Sequence, residues 1–280
     1  MLMKETKYPI YVISKGRAEN RQTINTLEEM NVRFLVVVEP QEVELYAKYV
    51  DRSKIIATDF ANLDQGSIPV RNFVWQHSIN AGARKHWILD DNINGFVRLN
   101  KGLRIPVKSS AIFNAVEDFS DRYTNVRMSG MNYRYFAGDW IKKPYFLNTR
   151  IYSCILLDNS VTHRWRGKYN EDTDLSLRIL KDDHCTLLFN TFLANKAATL
   201  TMSGGNTEEV YENSNNRLDF AESLKEQHSD CVRVVWRYDR WHHEVNYDIF
   251  KKNKLIRVDN YNEIVKQGIN NYQMTLKRVC

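Results

Sequence analysis

Apolar and polar positions alternate in blocks along the first part of the chain, and the blocks predict alternating strands and helices. Short apolar runs rich in β-branched and aromatic residues, as buried strands are, lie at 8–14, 33–38, 54–57 and 86–89. Between them, apolar residues at helical spacing predict helices over 20–30, 42–49 and 68–83. Strands that alternate with helices form a mainly parallel, doubly wound sheet, which binds ligands at the carboxyl ends of its strands.

Beyond Asn92 the blocks become less regular. The apolar runs predict further strands at 95–99, 125–135, 148–157 and 183–189. Helical spacing recurs over 109–123 and 170–180, whereas the polar segment 202–216 is the best candidate for a long loop. No internal repeat and no linker rich in Gly, Ser or Pro divides the sequence, so we expect a single α/β domain over 1–280.

The composition is that of a globular protein and points weakly to an anionic partner. Of 280 residues, 43% are hydrophobic and 26% charged, which excludes collagenous, low-complexity and mainly disordered chains. The 40 Lys and Arg outnumber the 34 Asp and Glu, a balance that favours an anionic partner without identifying it. No apolar run reaches the roughly 20 residues of a membrane span, and the four scattered cysteines form no zinc pattern. We therefore expect a soluble cytoplasmic protein with free thiols, Cys154 and Cys185 being buried.

Two adjacent carboxylates, Asp90 and Asp91, follow the predicted strand at 86–89 and precede Asn92. Like charges at the end of a buried strand repel each other unless a cation lies between them, and a divalent metal with oxygen ligands is the usual solution. A plain polar turn would show the same three residues, and the sequence leaves that alternative open.

A second acidic cluster, Glu171, Asp172 and Asp174, opens the helix predicted at 170–180. Carboxylates in a first helical turn are favoured by the helix dipole, and Asn170 could cap that turn, so simple capping is one interpretation. A carboxylate beside a metal and an acceptor could equally be a general base that deprotonates a hydroxyl group.

The adjacent histidines His242 and His243 form a third candidate. On an extended segment, neighbouring side chains point to opposite faces, so at most one of them meets a given metal ion. One exposed and one packed histidine is the alternative interpretation.

Four segments together resemble a known family of enzymes: YPIYVISKGR, HWILDDNI, KYNEDTDLSLRIL and RWHHEVNYDIF. The apolar strand ending in Asp-Asp and the later Glu-Asp-x-Asp helix look like nucleotide-sugar transferases of the GT-A fold, a Rossmann-like architecture with a mainly parallel central sheet flanked by helices. The four segments in this order are similar to the TET-associated glycosyltransferases of bacteriophages, which attach sugars to hydroxylated pyrimidines in phage DNA. No single segment is specific for that family.

The resemblance implies a donor site in the first part of the chain. Ser14 and Arg17 would line the nucleotide pocket, while Asp90 and Asp91 would bind the donor ribose and the metal. Arg71 is a candidate second cation for the diphosphate, with a solvated helix residue as the alternative. The halves 1–92 and 93–280 would then bind the nucleotide sugar and the acceptor, respectively.

The resemblance also implies the catalytic and metal ligands. Asp172 would be the base, Glu171 would contact acceptor or donor sugar, and one of His242 and His243 would complete a shell around Mn²⁺ or Mg²⁺. Asn92 stands where many relatives have a further Asp, which implies a weaker metal site or direct ligation by Asp91.

Basic and aromatic residues are concentrated between Arg122 and Lys168, where nine basic residues face two acidic ones. A phosphate backbone and an unstacked base require such a surface, although a solvated face would look the same. The segment just before the acidic helix is the most suggestive part, with the candidate DNA contacts Arg164, Trp165, Arg166 and Lys168.

The expected function is therefore that of an inverting, metal-dependent hexosyltransferase. It would move a sugar from a UDP-sugar to the hydroxymethyl group of a modified pyrimidine in phage DNA, most of all 5-hydroxymethylcytosine, in the cytoplasm of the bacterial host. A GT-A transferase acting on a glycan, a protein or a small molecule is one alternative. A non-catalytic GT-A-like module that binds nucleic acid is the other.

Overall fold

A mixed ten-stranded sheet forms the centre of the protein in a computed structural model, which describes residues 5–138, 140–167, 169–196 and 216–266. In chain order, the strands of this sheet are β1 (Ile10–Ile13), β2 (Leu35–Val38), β3 (Ile55–Ala57), β4 (Lys85–Asp90), β5 (Ile93–Asn100), β6 (Leu103–Val107), β7 (Val126–Tyr133), β8 (Tyr145–Leu147), β9 (Cys154–Asp158) and β10 (Cys185–Lys196). A separate hairpin is formed by β11 (Val232–Arg237) and β12 (Arg240–Val245).

Seven α-helices connect or flank these strands in the described part of the chain. They are α1 (Gln22–Glu29), α2 (Val43–Tyr46), α3 (Ile68–Asn80), α4 (Ala111–Ser120), α5 (Glu171–Lys181), α6 (Asn216–Gln227) and α7 (Tyr261–Lys266). The expected α/β class is confirmed, and the predicted strands and helices up to β10 occur in the predicted order. The predicted loop over 202–216 lies almost entirely outside the described residues.

The sheet is parallel in its first part and mixed in its second. The strands β3, β2, β1 and β4 pair in that order and are all parallel, as the alternation predicts. Next to β4 lies β9, which is antiparallel to both β4 and β7, while β10 runs parallel to β7. Because β9 runs antiparallel to β4, Ser153, which lies just before β9, is beside the carboxyl end of β4. The Ser153 carbonyl accepts a hydrogen bond from the Asp90 amide at 2.9 Å.

Hydrophobic cores on both faces of the sheet explain the continuous apolar runs. In β1, Ile10 and Val12 belong to one buried cluster, while Tyr11 and Ile13 belong to another. Successive side chains of a strand point to opposite faces, so a strand covered on both faces needs apolar residues at every position.

Three cysteines lie in the described part of the chain, and all three are buried free thiols. Cys154 and Cys185 are buried as predicted, and Cys231 joins them. Burial raises the pKa of each thiol, which disfavours the reactive thiolate. No helix among the described residues has the length and apolar character needed to cross a membrane.

Candidate active site

The carboxyl ends of β1, β2 and β4 and the first turns of α3 and α5 surround a cavity of about 230 Å³. A doubly wound sheet binds its ligands at this edge. Charged and polar side chains line the cavity: Ser14, Lys15, Arg17, Glu39, Asp64, Gln65, Ser67, Arg71, Asp90, Asp91, Asn92, Glu171 and Lys196. Two carboxylate clusters that are far apart in sequence therefore share one cavity.

Asp90 lies at the end of β4 between two protein cations. Its carboxylate is 3.0 Å from Arg71 Nη2 and 2.8 Å from Lys196 Nζ, and it accepts a hydrogen bond from Ser153 Oγ at 2.5 Å. Lys196 also lies 3.3 Å from the Tyr133 hydroxyl. Burial alone would raise the pKa of Asp90, but Lys196 and Arg71 outweigh it and hold that pKa well below its usual range. These contacts therefore favour the ionised form of Asp90.

Asp91 is held by the loop that follows β1. Its carboxylate accepts a hydrogen bond from Ser14 Oγ at 2.8 Å and forms an ion pair with Arg17. The Ser14 hydroxyl in turn lies 2.6 Å from the Tyr46 hydroxyl. Burial raises the pKa of Asp91 above its usual value even though Arg17 lowers it. The structure thus brings together Ser14, Arg17 and Asp91, which were predicted as donor-site residues.

Arg71 joins the two acidic clusters. It is only 4% exposed, so the alternative of a solvated helix residue is wrong. Besides Asp90, its guanidinium pairs with Glu171, whose carboxylate lies 3.5 Å from Arg71 Nε and accepts a hydrogen bond from Ser67 Oγ at 2.7 Å. Burial raises the pKa of Glu171. Arg71 therefore fixes the start of α5 against the end of β4.

Asp172 is half-buried in the first turn of α5. Its carboxylate accepts hydrogen bonds from the Thr173 amide at 2.6 Å and from the Thr173 hydroxyl at 3.3 Å. Asn170 precedes the helix with φ 54° and makes no side-chain cap; its amide instead donates to the Phe220 carbonyl at 2.8 Å. The acidic first turn is therefore not explained by an Asn170 cap.

Four charged residues of the cavity were not singled out from sequence: Lys15, Glu39, Asp64 and Lys196. Glu39 directly follows β2, and its position at a strand carboxyl end is a signal that could have identified it. Lys196 ends β10, a strand that the sequence predicted to stop at Phe189. Only the longer strand brings this lysine to Asp90.

Trp165 is a core residue rather than an exposed ring. It is 2% exposed and packs edge-on against Trp75, with centroids 6.4 Å apart, while the Arg71 guanidinium lies 4.9 Å from its ring. Because the ring is buried, neither of its faces is accessible to a nucleotide base. The predicted contact of Trp165 with DNA is therefore wrong. Lys168, predicted beside it, lies outside the described residues.

The neighbouring arginines make contacts within the protein. Arg164 lies 4.6 Å from the Trp75 ring and donates to the His163 carbonyl at 2.8 Å. Arg166 pairs with the buried Asp174 at 3.1 Å, although half of its side chain remains exposed. Their predicted contacts with DNA stay predictions, and the structure adds a folding role for both arginines.

Among the described residues, the two histidines of β12 do not form a group of possible metal ligands with the carboxylates of β4. His243 Nε2 is 3.4 Å from Arg150 Nη1, and burial lowers the pKa of His243 to about 4. In the part of the chain that the structure describes, neither His242 nor His243 forms a hydrogen bond or ion pair with Asp90 or Asp91. Their metal-binding role stays a prediction.

Another group, His228, Asp230 and Cys231, brings three potential ligand atoms within 4.8 Å of one another. The Lys181 ammonium, however, lies 3.1 Å from His228 Nδ1 and 2.7 Å from Asp230. A protein cation already neutralises this cluster, which makes it a poor metal site.

Comparisons with known proteins found a matching family and distantly similar solved structures. The sequence profile of the TET-associated glycosyltransferases matches residues 8–205. A solved structure assigned as a nucleotide-diphospho-sugar transferase, from Desulfovibrio desulfuricans G20, covers 66% of this chain and 80% of its own, with 8% identity and a TM-score of 0.38. Similarity at that level is too distant to carry a functional argument. No curated protein sequence shows a significant match.

Proposed function

The chain belongs to the TET-associated glycosyltransferase family, and from this premise we propose that it transfers a sugar from a UDP-sugar to the hydroxymethyl group of a modified pyrimidine in DNA. The acceptor we favour is 5-hydroxymethylcytosine. One observation carries the proposal: Arg71 joins Asp90 and Glu171 in a cavity at the carboxyl ends of parallel strands. Such a cavity is suited to a nucleotide ligand.

The donor would lie against the first half of the chain, over 1–92. The loop after β1 would hold the nucleotide through Ser14 and Arg17, and Arg71 would face the diphosphate. Lys196 comes from the second half and adds a buried positive charge to the same cavity. Cations placed before the reaction stabilise the charge that grows on a leaving diphosphate.

A divalent cation fits this cavity through hard oxygen ligands. Asn92 Oδ1 is buried and has no hydrogen-bond partner among the described residues, and it lies next to the Asp91 carboxylate in sequence. Asp90 is less suited because it lies between two protein cations, Arg71 and Lys196, whereas the cation paired with Asp91 is Arg17 and its other oxygen accepts from the neutral Ser14 hydroxyl. We infer that Asp91 and Asn92 would hold Mn²⁺ or Mg²⁺. Such an ion would supply charge neutralisation at the diphosphate.

We expect removal of divalent metal by EDTA to lower sugar transfer about a hundredfold, and added Mn²⁺ to restore it. Asn92→Asp should then lower the Mn²⁺ concentration for half-maximal transfer about tenfold, because a carboxylate binds a hard cation more tightly than an amide does. The matched control is Asn94→Asp, which adds the same charge at an exposed position. Full transfer in excess EDTA would contradict the metal proposal.

Asp172 would act as the base. The acceptor hydroxyl oxygen attacks the anomeric carbon as its proton passes to the Asp172 carboxylate, and the bond from that carbon to the diphosphate breaks with its electron pair leaving on UDP. Attack from the face opposite the diphosphate inverts the configuration at the anomeric carbon. Glu171 is half-buried and contacts Arg71 and Ser67, which suits it to hold the donor rather than to move the proton.

The direct experiment offers the protein a panel of UDP-sugars with Mn²⁺ and DNA that contains 5-hydroxymethylcytosine or 5-hydroxymethyluracil. Mass spectrometry of the digested nucleosides should show a modified base heavier by one sugar residue. Sugar found only on a glycan, protein or small-molecule acceptor would replace the DNA proposal. Binding of DNA with no turnover of any donor would point to a non-catalytic module.

A further inference from the structure

The hairpin of β11 and β12 exposes an unusual set of aromatic side chains at its tip. Trp236 pairs with Trp241 across the strands, and their ring centroids lie 5.1 Å apart. Trp236 is 56% exposed and Trp241 is 39% exposed. Tyr238, in the turn between the strands, is 85% exposed. The hairpin follows the segment 8–205 that the family profile covers.

The turn itself is strained. Tyr238 and Asp239 form a two-residue connection with φ 53° and 56°, the left-handed pair that a type I′ turn requires. Asn-Gly is the favoured sequence for such a turn, and a bulky residue there is an outlier that costs stability. Folding alone would not place an exposed tyrosine at this position, which points to a ligand.

The charges of the hairpin favour an anionic ligand. Three arginines, Arg233, Arg237 and Arg240, face two carboxylates, Glu244 and Asp239. Glu244 is shared by Arg233 and Arg237, whereas the hydrogen bond of Arg240 within the described residues goes to His242, at 3.0 Å. Exposed rings interleaved with arginines are the combination that binds unstacked bases and phosphates of a single strand.

The aromatic pair lies on the face that leads toward the candidate base. Residues paired directly across antiparallel strands share a face, as do residues two apart, so Trp236, Trp241 and His243 lie on one face. His243 contacts Arg150, whose guanidinium lies 5.3 Å from the Tyr152 ring. Burial raises the pKa of Tyr152, and the nearby charge of Asp172 adds to that rise. The contacts from His243 to Arg150 and from Arg150 to Tyr152 thus connect this face of the hairpin with the surroundings of Asp172.

We propose that the hairpin tip binds the acceptor DNA strand, with Trp236, Tyr238 and Trp241 stacking on unpaired bases and Arg240 contacting a phosphate. This inference rests on the proposed DNA acceptor. It supplies the exposed aromatic surface that the buried Trp165 does not, and it explains why a strained turn carries a tyrosine.

The test measures binding of a fluorescent, unmodified single-stranded oligonucleotide by anisotropy at several salt concentrations. Trp236→Ala and Tyr238→Gly should each weaken binding about tenfold, the scale of one lost stacking contact. Tyr238→Gly should leave the Tm unchanged or raise it, because glycine adopts positive φ without strain. Arg240→Gln should reduce the slope of log affinity against log salt by about 0.7. Matched controls are Tyr49→Ala and Arg33→Gln, which remove an exposed ring and an exposed charge elsewhere.

The outcomes separate this inference from the proposed function. Hairpin variants that bind DNA as tightly as the parent protein would overturn the inference, and sugar transfer to hydroxymethylated DNA would then still stand on its own. Loss of oligonucleotide binding in the variants supports the inference even if no donor modifies DNA bases. If sedimentation shows that the parent protein is a dimer and that Trp236→Ala is a monomer with unchanged DNA affinity, that result would assign the surface to self-association and overturn the inference.

Discussion

Asp172→Asn is expected to lower sugar transfer by about 10²- to 10⁴-fold while leaving UDP binding intact. The amide has the shape of the carboxylate but cannot take the proton of the attacking hydroxyl. The proposed donor residues Ser14 and Arg17 both contact Asp91, so the proposed donor pocket should persist. Transfer is measured with saturating UDP-sugar, and UDP affinity by calorimetry.

The matched control is Asp182→Asn, which removes a partly exposed carboxylate just after the same helix, where it pairs with His163 at 2.7 Å. It should leave transfer close to that of the parent protein. Transfer by Asp172→Asn within a few fold of the parent rate would remove Asp172 from the role of base. Loss of UDP binding in that variant would instead place Asp172 in the donor pocket.

Asp174→Asn is expected to lower the free energy of unfolding by about 3–5 kcal/mol, the cost of breaking a buried ion pair. The Asp174 carboxylate is 1% exposed and accepts from Arg166 at 3.1 Å, Arg178 at 2.9 Å and His228 at 2.8 Å. The amide variant leaves these donors without a charged acceptor. Urea unfolding at pH 7 measures the effect, with Asp230→Asn as the control that removes an exposed carboxylate.

The same network predicts a pH dependence. Burial alone would raise the pKa of Asp174, but the hydrogen bonds from His228 and Arg166 outweigh it and lower that pKa to about 2. The pKa in the unfolded chain is about 3.9, so the stabilisation is complete above about pH 4 and is lost as the pH falls toward 2. The difference in the free energy of unfolding between the parent protein and Asp174→Asn should therefore shrink below pH 4. If this difference in the free energy of unfolding stays constant down to pH 2, the ionised Asp174 carboxylate is not the source of the stabilisation.

Charge counted along the sequence and charge available on the surface are different quantities. The stretch from Arg122 to Lys168 has the largest excess of basic residues. In the fold, Arg166 neutralises Asp174 and Arg164 packs on Trp75, although both residues also remain exposed. The hairpin has a smaller excess, yet its rings and Arg240 face outward. Sequence spacing cannot distinguish these cases, because partners such as Asp174 are chosen by packing.

The sequence by itself determined the elements and the place of the chemistry. Continuous apolar runs predicted β1 to β4, since a strand covered on both faces is apolar at every position. The same pattern predicted that Asp90 and Asp91 would stand at a strand end and that Glu171 and Asp172 would open a helix. These are local properties, because hydrophobic periodicity and helix starts depend on residues a few positions apart.

Only the tertiary structure decided which charges meet. Lys196 reaches Asp90 from 106 residues away because β10 is longer than its apolar run, and Arg71 becomes a buried link between Asp90 and Glu171. The antiparallel step from β4 to β9 brings Ser153 to the same carboxylate. Such contacts depend on strand order and packing, and a buried charge is tolerated only where the completed fold provides its partner.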